Sequence, residues 1–473
     1  MIQKLSKFYI GGKWVTAHGQ TVTEVVNPAS LEVCATVANA TRADVDAAFE
    51  AAKHAFDTWS QTSATQRKTF MLAAADAMER RKDDFVDAHV STLGVPRTQA
   101  VEMQIDGPIE AMRYFAGLCD RVDEVEESEG MLITREPVGV CALINPWNYP
   151  LLQMIGKVGP ALAAGCTMVE KPSEETPTVD FIMAEIFDEI GLPGGVFNLI
   201  SGIGSEIGPL MSAHPLADMV SFTGSTRSGI SVAEQAAPSV KRVCQELGGK
   251  SAFIIAEGAN LEEAVEYGVN NVFLNAGQTC DALTRMLIPD SCYTQVVEIA
   301  QRVGLAHIAG DPESASTTVG PLVAMRQKEL IDKYLAIGIE EGAQVLVGGV
   351  GYPQGVNTGA FVKPTIFANV TPDMRIAREE IFGPVLCIMK YESIEQAIEI
   401  ANSSEFGLSS AVWAKDKVAA TKIAKRMRAG QCFIQGGYFR VDAPFGGFKQ
   451  SGNGREWGHA GMDEYLEIKA IIA

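Results

Sequence analysis

From residue 137 onward the chain is built of short apolar runs that end in polar or glycine-rich turns: VGVCALI, TMVEK, GVFNLI, MVSFTG and SAFIIA. Helical segments such as 177–190 separate several of them. That alternation predicts βαβ units and a parallel sheet, with ligands at the carboxyl ends of its strands. Further on, 261–273 and 323–342 read as helices, and GAQVLVGG and CIMKY as strands, so a second α/β domain is expected. The opening third reads as helical. Thr41 caps a helix in which Val45, Ala48, Phe49, Ala52 and Phe56 recur at helical spacing, Asp44 completes the cap, and a second helix runs over 66–85.

A chain of 473 residues is long enough for two or three domains. Its 47% hydrophobic and 21% charged residues describe a globular protein, and a formal charge of -19 opposes nucleic acid and anionic membrane surfaces. The N-terminus carries no signal-peptide pattern and no run is apolar enough to span a bilayer, so a cytoplasmic protein without membrane partners is expected. Nine cysteines contain no CxxC pair and six histidines fall singly. Neither a disulfide framework nor a metal site is expected.

Several segments carry residues suited to chemistry. Cys280 follows the small-residue turn Asn275-Ala276-Gly277-Gln278-Thr279, where its own N–H can remain free as a donor. Locally it reads either as a packing cysteine or as a nucleophile. Glu246, ahead of Leu247-Gly248-Gly249-Lys250, is either a solvated turn carboxylate or a general base. Asn148 lies between Pro146 and Pro150 directly after a strand, and is either a turn residue or an oxyanion donor. Gly202-Ile203-Gly204-Ser205-Glu206-Ile207-Gly208 is one residue longer than the usual dinucleotide fingerprint. In Phe222-Thr223-Gly224-Ser225-Thr226 a strand ends and a helix opens. Ser225 and Thr226 there either cap that helix or hold a pyrophosphate.

Taken in order, FYIGGKW, PWNYP, GPALAAGCTMVEKPSEETP, FTGST, ELGGKS, GQTC, EEIFGPV and PFGGFKQSGNGRE resemble the aldehyde dehydrogenase superfamily along nearly the whole chain. The resemblance implies a Rossmann-like dinucleotide-binding domain (1–116 and 137–247), an α/β catalytic domain (248–447) and a small β oligomerisation element (117–136 and 460–473). It implies Cys280 as nucleophile, Glu246 as base and Asn148 as oxyanion amide. Trp147, Lys171, Glu174, Gly202, Ser225, Glu380 and Phe382 are placed around the cofactor, NAD with NADP as an alternative. Retention of Glu246 implies hydrolysis of the thioester rather than its transfer to coenzyme A.

The same resemblance places Tyr149, Gln153, Gly156, Thr279, Asp281, Tyr438, Phe439 and Phe445 along the aldehyde tunnel. These mainly aromatic walls imply an apolar aldehyde, with a semialdehyde as the alternative. Gly156 stands where relatives carry a bulky aromatic, which implies a wider tunnel. Arg440 either pairs with Asp281 or Asp442 or faces the tunnel as an anchor. A homodimer or homotetramer is expected.

Overall fold

The structure is a computed structural model that describes residues 2–473. Five parallel strands form the middle of its largest sheet, in the order Arg242–Glu246, Met219–Thr223, Val140–Ile144, Thr167–Lys171 and Phe197–Leu199. The chain enters at the centre, moves outward one way, then returns past its entry strand and moves out the other way. Every residue of Val140–Ile144, Thr167–Lys171 and Met219–Thr223 is buried, because helices cover both faces. The reversal opens a crevice beyond the carboxyl ends of Val140–Ile144 and Met219–Thr223, the switch point at which such sheets bind ligands. Lys7–Ile10 and Lys13–Thr16 extend one edge antiparallel, and Gly452–Asn453 extends the other.

The helix Arg42–Trp59 begins at Thr41 as expected and buries Val45, Ala48, Phe49 and Ala52. The segment expected as one helix over 66–85 is instead two, Ala64–Arg80 and Lys82–Thr92, because Arg81 leaves helical geometry at φ -104° and ψ 19°. A helical reading of the first forty residues also fails. Five strands lie within residues 3–38, among them Val22–Val26 and Val33–Ala38. They are short and partly exposed, so little apolar periodicity marks them, and Gln3–Leu5 is completed only by pairing with Val33–Ala38 further along the chain.

A second sheet runs Gln344–Val347, Thr365–Ala368, Val385–Tyr391, Arg285–Pro289, Ala252–Ile255, Ser410–Trp413 and Phe433–Ile434, parallel except at its first pair. The helices Leu261–Phe273 and Met325–Glu340 flank it, close to where the sequence places them. Leu466–Ile472, Met131–Pro137 and Glu126–Ser128 make a separate antiparallel sheet. Val441, Phe445, Trp457 and Met462 pack into the core of the first unit, so the expected domain boundary at 447 cuts through a segment that has already returned there. Among the described residues no helix is long and apolar enough to cross a membrane.

The Asp44 carboxylate is buried at the start of the first long helix. It accepts from Thr41 N–H (2.8 Å), Thr41 Oγ1 (2.8 Å), His18 N–H (3.0 Å) and His18 Nδ1 (2.7 Å). Burial pushes its pKa up, but these hydrogen bonds outweigh burial and hold it below the usual carboxylate range. A depressed folded pKa contributes stability above the unfolded value and loses it as pH falls through the folded value. Asp44→Asn should therefore cost about 1–3 kcal/mol at neutral pH. In chemical denaturation, the parent and variant curves should converge as acid titrates the parent.

Candidate active site

A cavity of about 240 Å3 opens at the switch point, between the two large sheets. The first unit lines it with Trp147 and Asn148 just past Val140–Ile144, with Thr223 and Ser225 at the end of the next strand over, and with Glu246 as the last residue of Arg242–Glu246. Gln153 reaches it from the helix Pro150–Ala164. The second unit contributes Cys280, Glu380 and Phe382, and the returning segment contributes Phe445.

Backbone strain marks the loop that carries Cys280. Asn275, Ala276 and Gly277 take successive left-handed conformations at φ 51°, 54° and 71°, which side chains other than glycine adopt at a cost. At Gly277 a Cβ would stand 2.0 Å from the Gly383 carbonyl carbon, so only glycine lets the thiol loop lie against the loop that holds Phe382. Phe382 is itself at φ 58° and meets Trp147 edge to face, ring centroids 5.3 Å apart. The strain is held by buried hydrogen bonds: Asn275 Nδ2 donates to Asn148 O at 2.9 Å, and Asn148 Nδ2 donates to Gln278 O at 2.9 Å. One amide hydrogen of Asn148 is thereby committed, and the other is left free on the cavity side that Cys280 also lines.

The acidic groups of the site are poorly solvated. Burial, then the nearby Glu456 carboxyl, pushes Glu246 well above the usual carboxylate range, and neither of its oxygens has a partner among the described residues. Burial pushes Glu380 up to about 7, although its Oε1 accepts from Gly249 N–H at 2.9 Å. Burial and the adjacent Asp281 raise the Cys280 thiol well above its ordinary value, so the resting group is a thiol. Asp281 is itself raised to about 6 by burial. The countercharge is Lys157, fully buried, whose ammonium meets Glu456 at 2.8 Å and donates to Thr223 Oγ1 at 2.7 Å.

The expected cofactor residues fall into two groups. Trp147, Ser225, Glu380 and Phe382 line the cavity, while Lys171, Glu174 and Gly202 lie beside it at the ends of neighbouring strands. Glu174 remains partly accessible, 3.6 Å from the Lys171 ammonium, and accepts from Gly204 N–H at 3.3 Å. Ser225 caps the helix Thr226–Ala236, its hydroxyl accepting from Ser228 N–H at 3.3 Å, so the capping alternative is realised while that helix N-terminus still opens on the cavity. Thr226 Oγ1 donates to Gln450 O. A dinucleotide fits this arrangement. A partly accessible carboxylate suits a ribose, a helix N-terminus suits phosphate, and the Trp147–Phe382 pair suits a flat ring.

The expected tunnel residues divide as well. Gln153 and Phe445 line the cavity, and Tyr149 supports it, its hydroxyl 2.8 Å from Thr279 Oγ1 beside Cys280. Phe439 packs against Phe445, centroids 6.1 Å apart. Tyr438 is 78% exposed and belongs to the outer surface rather than a tunnel wall. Arg440 forks onto Asp442 at 2.8 and 2.6 Å on the surface, which settles its alternatives in favour of pairing. The wider tunnel expected from Gly156 is not found. A Cβ there would lie 2.6 Å from the Trp457 ring, so the space is filled by an indole from elsewhere in the chain.

Sequence reading passed over Lys157, Glu456 and Trp457. A lysine in the apolar helix segment LLQMIGKVGPALAA was the available signal, since it stands four residues after Gln153 on the same helix face. Gln327 and Leu330, which line the cavity from Met325–Glu340, gave no comparable signal.

A doubly wound sheet that presents a thiol, a carboxyl and an amide to one cleft at its switch point defines an α/β enzyme. A family model described as the aldehyde dehydrogenase family matches residues 14–471. Among curated proteins, a 3-succinoylsemialdehyde-pyridine dehydrogenase of Pseudomonas sp is 46% identical over 467 residues, 98% of each chain. An aldehyde dehydrogenase C of Pseudomonas syringae, solved as a cysteine-to-alanine mutant with NAD+ and octanal, superposes with TM-score 0.97 and 44% identity. The match covers 99% of this chain and 96% of that one. A Mycobacterium tuberculosis aldehyde dehydrogenase complexed with NAD+ gives TM-score 0.97 at 40% identity, covering 100% of this chain and 99% of that one. This chain belongs to the aldehyde dehydrogenase family.

The Gly277 contact generates a test away from any reacting atom. Gly277→Ala must displace either the thiol loop or the Gly383 backbone, and a shift of about 1 Å at a reacting group costs on the order of a hundredfold in rate. Aldehyde oxidation should fall by roughly that factor, with a lowered thermal midpoint, in steady-state assays paired with a melting curve.

Proposed function

We propose that this enzyme oxidises an uncharged, largely apolar aldehyde to its carboxylic acid with NAD, through a thioester on Cys280. The observation that carries this reading is the convergence of the Cys280 thiol, the Asn148 amide and the unpartnered Glu246 carboxyl on one cavity. Cys280 sulfur, its proton released to solvent, bonds to the aldehyde carbon, and the carbonyl oxygen takes the charge. The free Asn148 amide hydrogen and the Cys280 N–H, which has no partner among the described residues, stabilise that oxyanion. When bound, NAD supplies the hydride acceptor that converts the hemithioacetal to a thioester. Glu246 takes a proton from water, the hydroxyl bonds to the acyl carbon, and the carbon–sulfur bond breaks to release the acid and Cys280.

In this reading Trp147, Lys171, Glu174, Gly202, Ser225, Glu380 and Phe382 hold NAD. The Glu174 carboxylate suits the two ribose hydroxyls and repels a 2′-phosphate, which favours NAD over NADP. Exposed Ile468, Ile471 and Ile472 on the edge strand Leu466–Ile472 support a homo-oligomer, dimer or tetramer.

A base held protonated by its surroundings works better as pH rises. Deacylation should therefore increase with pH towards the elevated pKa of Glu246. Glu246→Gln should remove that limb: rapid mixing should show a burst of NADH close to the enzyme concentration, followed by a stall at the thioester. Absence of any burst would contradict a base that acts only in deacylation.

The substrate class rests on charge. Among the described residues no Lys or Arg lines the cavity, while Glu246 and Glu380 do, and Arg440 is bound to Asp442 outside it. A carboxylate on the substrate would find no partner there. The relative crystallised with octanal supports an aliphatic aldehyde, and the relative named a 3-succinoylsemialdehyde-pyridine dehydrogenase supports the alternative of a semialdehyde. In a steady-state survey, octanal and benzaldehyde should exceed succinic semialdehyde in kcat/KM by at least about tenfold, and NAD should exceed NADP. The reverse order with the acidic substrate would refute the assignment.

A further inference from the structure

The helix Pro150–Ala164 presents Gly156 and Gly159, three residues apart and so on one face, to two aromatic rings. A Cβ at Gly159 would lie 2.6 Å from Phe115, and a Cβ at Gly156 would lie 2.6 Å from Trp457. The two rings stack on this bare track, centroids 5.9 Å apart and planes at 29°. Trp457 also meets Phe439 edge to face at 5.3 Å and 84°, and Phe439 meets Phe445, which lines the cavity with Cys280.

Trp457 is held there at a conformational cost. Its φ of 63° and ψ of 160° lie in a region that almost only glycine occupies, yet its side chain is among the largest fully buried in the protein. The backbone is fixed on both sides. Phe445 and Glu456 exchange N–H···O bonds of 2.7 Å, and Gly458 N–H donates to Val441 O at 3.0 Å. The strained residue thus follows Glu456, the partner of Lys157, and its ring is aimed between the helix and the channel wall.

We infer that Trp457 is a specificity-determining positioning residue, which sets the bore of the aldehyde channel by supplying through Phe439 and Phe445 the bulk that Gly156 leaves out. This rests on the reading of the Cys280 cavity as the aldehyde site. Trp457 does not line the cavity and touches no reacting atom. Phe115 is fully buried and backed by the Gly159 track, whereas Phe439 is only half-buried. Displacement of the indole is therefore taken up on the Phe439 side, and the channel narrows or widens with it.

Two substitutions should move selectivity in opposite directions. Gly156→Ala, which favours the helix, places a methyl against the indole and drives it toward Phe439. Trp457→Leu removes ring volume and lets Phe439 recede. With kcat/KM for a naphthaldehyde taken relative to propanal, Gly156→Ala should lower the ratio by roughly tenfold and Trp457→Leu should raise it by roughly tenfold, the size of a one- or two-carbon misfit in an apolar pocket. Both changes should fall mainly on KM for the bicyclic aldehyde, with kcat for propanal within about threefold of the parent. If Trp457→Leu does not fold, Gly156→Ala decides. A ratio unmoved in that variant, or both aldehydes falling in parallel, would make Trp457 a packing residue only and overturn the inference. Failure of the parent to oxidise either aldehyde would instead strike at the proposed substrate class.

Discussion

The hydrogen bond from the Asn148 side chain to the Gln278 carbonyl, 2.9 Å long and buried, is where two separately wound sheets become one site. Asn148 belongs to the turn after the entry strand of the first sheet, and Gln278 to the loop that leads into the strand Arg285–Pro289 of the second. Asn275 Nδ2 and Gln104 Nε2 both donate to the Asn148 carbonyl, and Val323 N–H donates to Gln278 Oε1. Four segments distant in sequence therefore fix one amide and one thiol relative to each other. Such a buried network loses much if any member is left unsatisfied, which gives it the rigidity to hold three successive left-handed residues ahead of Cys280.

That rigidity explains how the strain at Phe382 and Gly277 persists. Each is on a loop, but the loops press on one another: Gly277 on Gly383, and Phe382 on Trp147. The cavity walls are thus set by mutual contact between the units rather than by regular secondary structure. A lone loop in either conformation would relax, since the cost of an αL residue is comparable to the net gain from one or two hydrogen bonds.

The parts of this arrangement that were legible in the sequence are those encoded locally. The fully buried strands announce themselves as continuous apolar runs, and Leu261–Phe273 has a clean helical period after the cap Asn260. Cys280, Glu246 and Asn148 were each ambiguous from their own neighbours, and it was the resemblance of many ordered segments that singled them out. The opening strands were illegible because their pairing partners, not their composition, make them strands. Gly156 misled for a related reason. A missing side chain shows in the sequence, but the indole that fills the space comes from a segment far along the chain and through a backbone conformation no propensity scale would assign to tryptophan.

Charge ties the entry of substrate to the exit of product. The aldehyde arrives neutral, so a cavity bordered by Glu246 and Glu380, with Asp281 beside the thiol, does not oppose its binding. Hydrolysis then creates a carboxylate among these groups, with no Lys or Arg on the cavity wall among the described residues. The nearest buried cation, Lys157, is already engaged with Glu456 and Thr223. At an effective dielectric near that of a protein surface, two like charges 4 Å apart repel by about 4 kcal/mol. A repulsion of that sign favours departure of the acid. The absence of Lys and Arg from the described cavity wall therefore bears on the departure of product as well as on the entry of substrate.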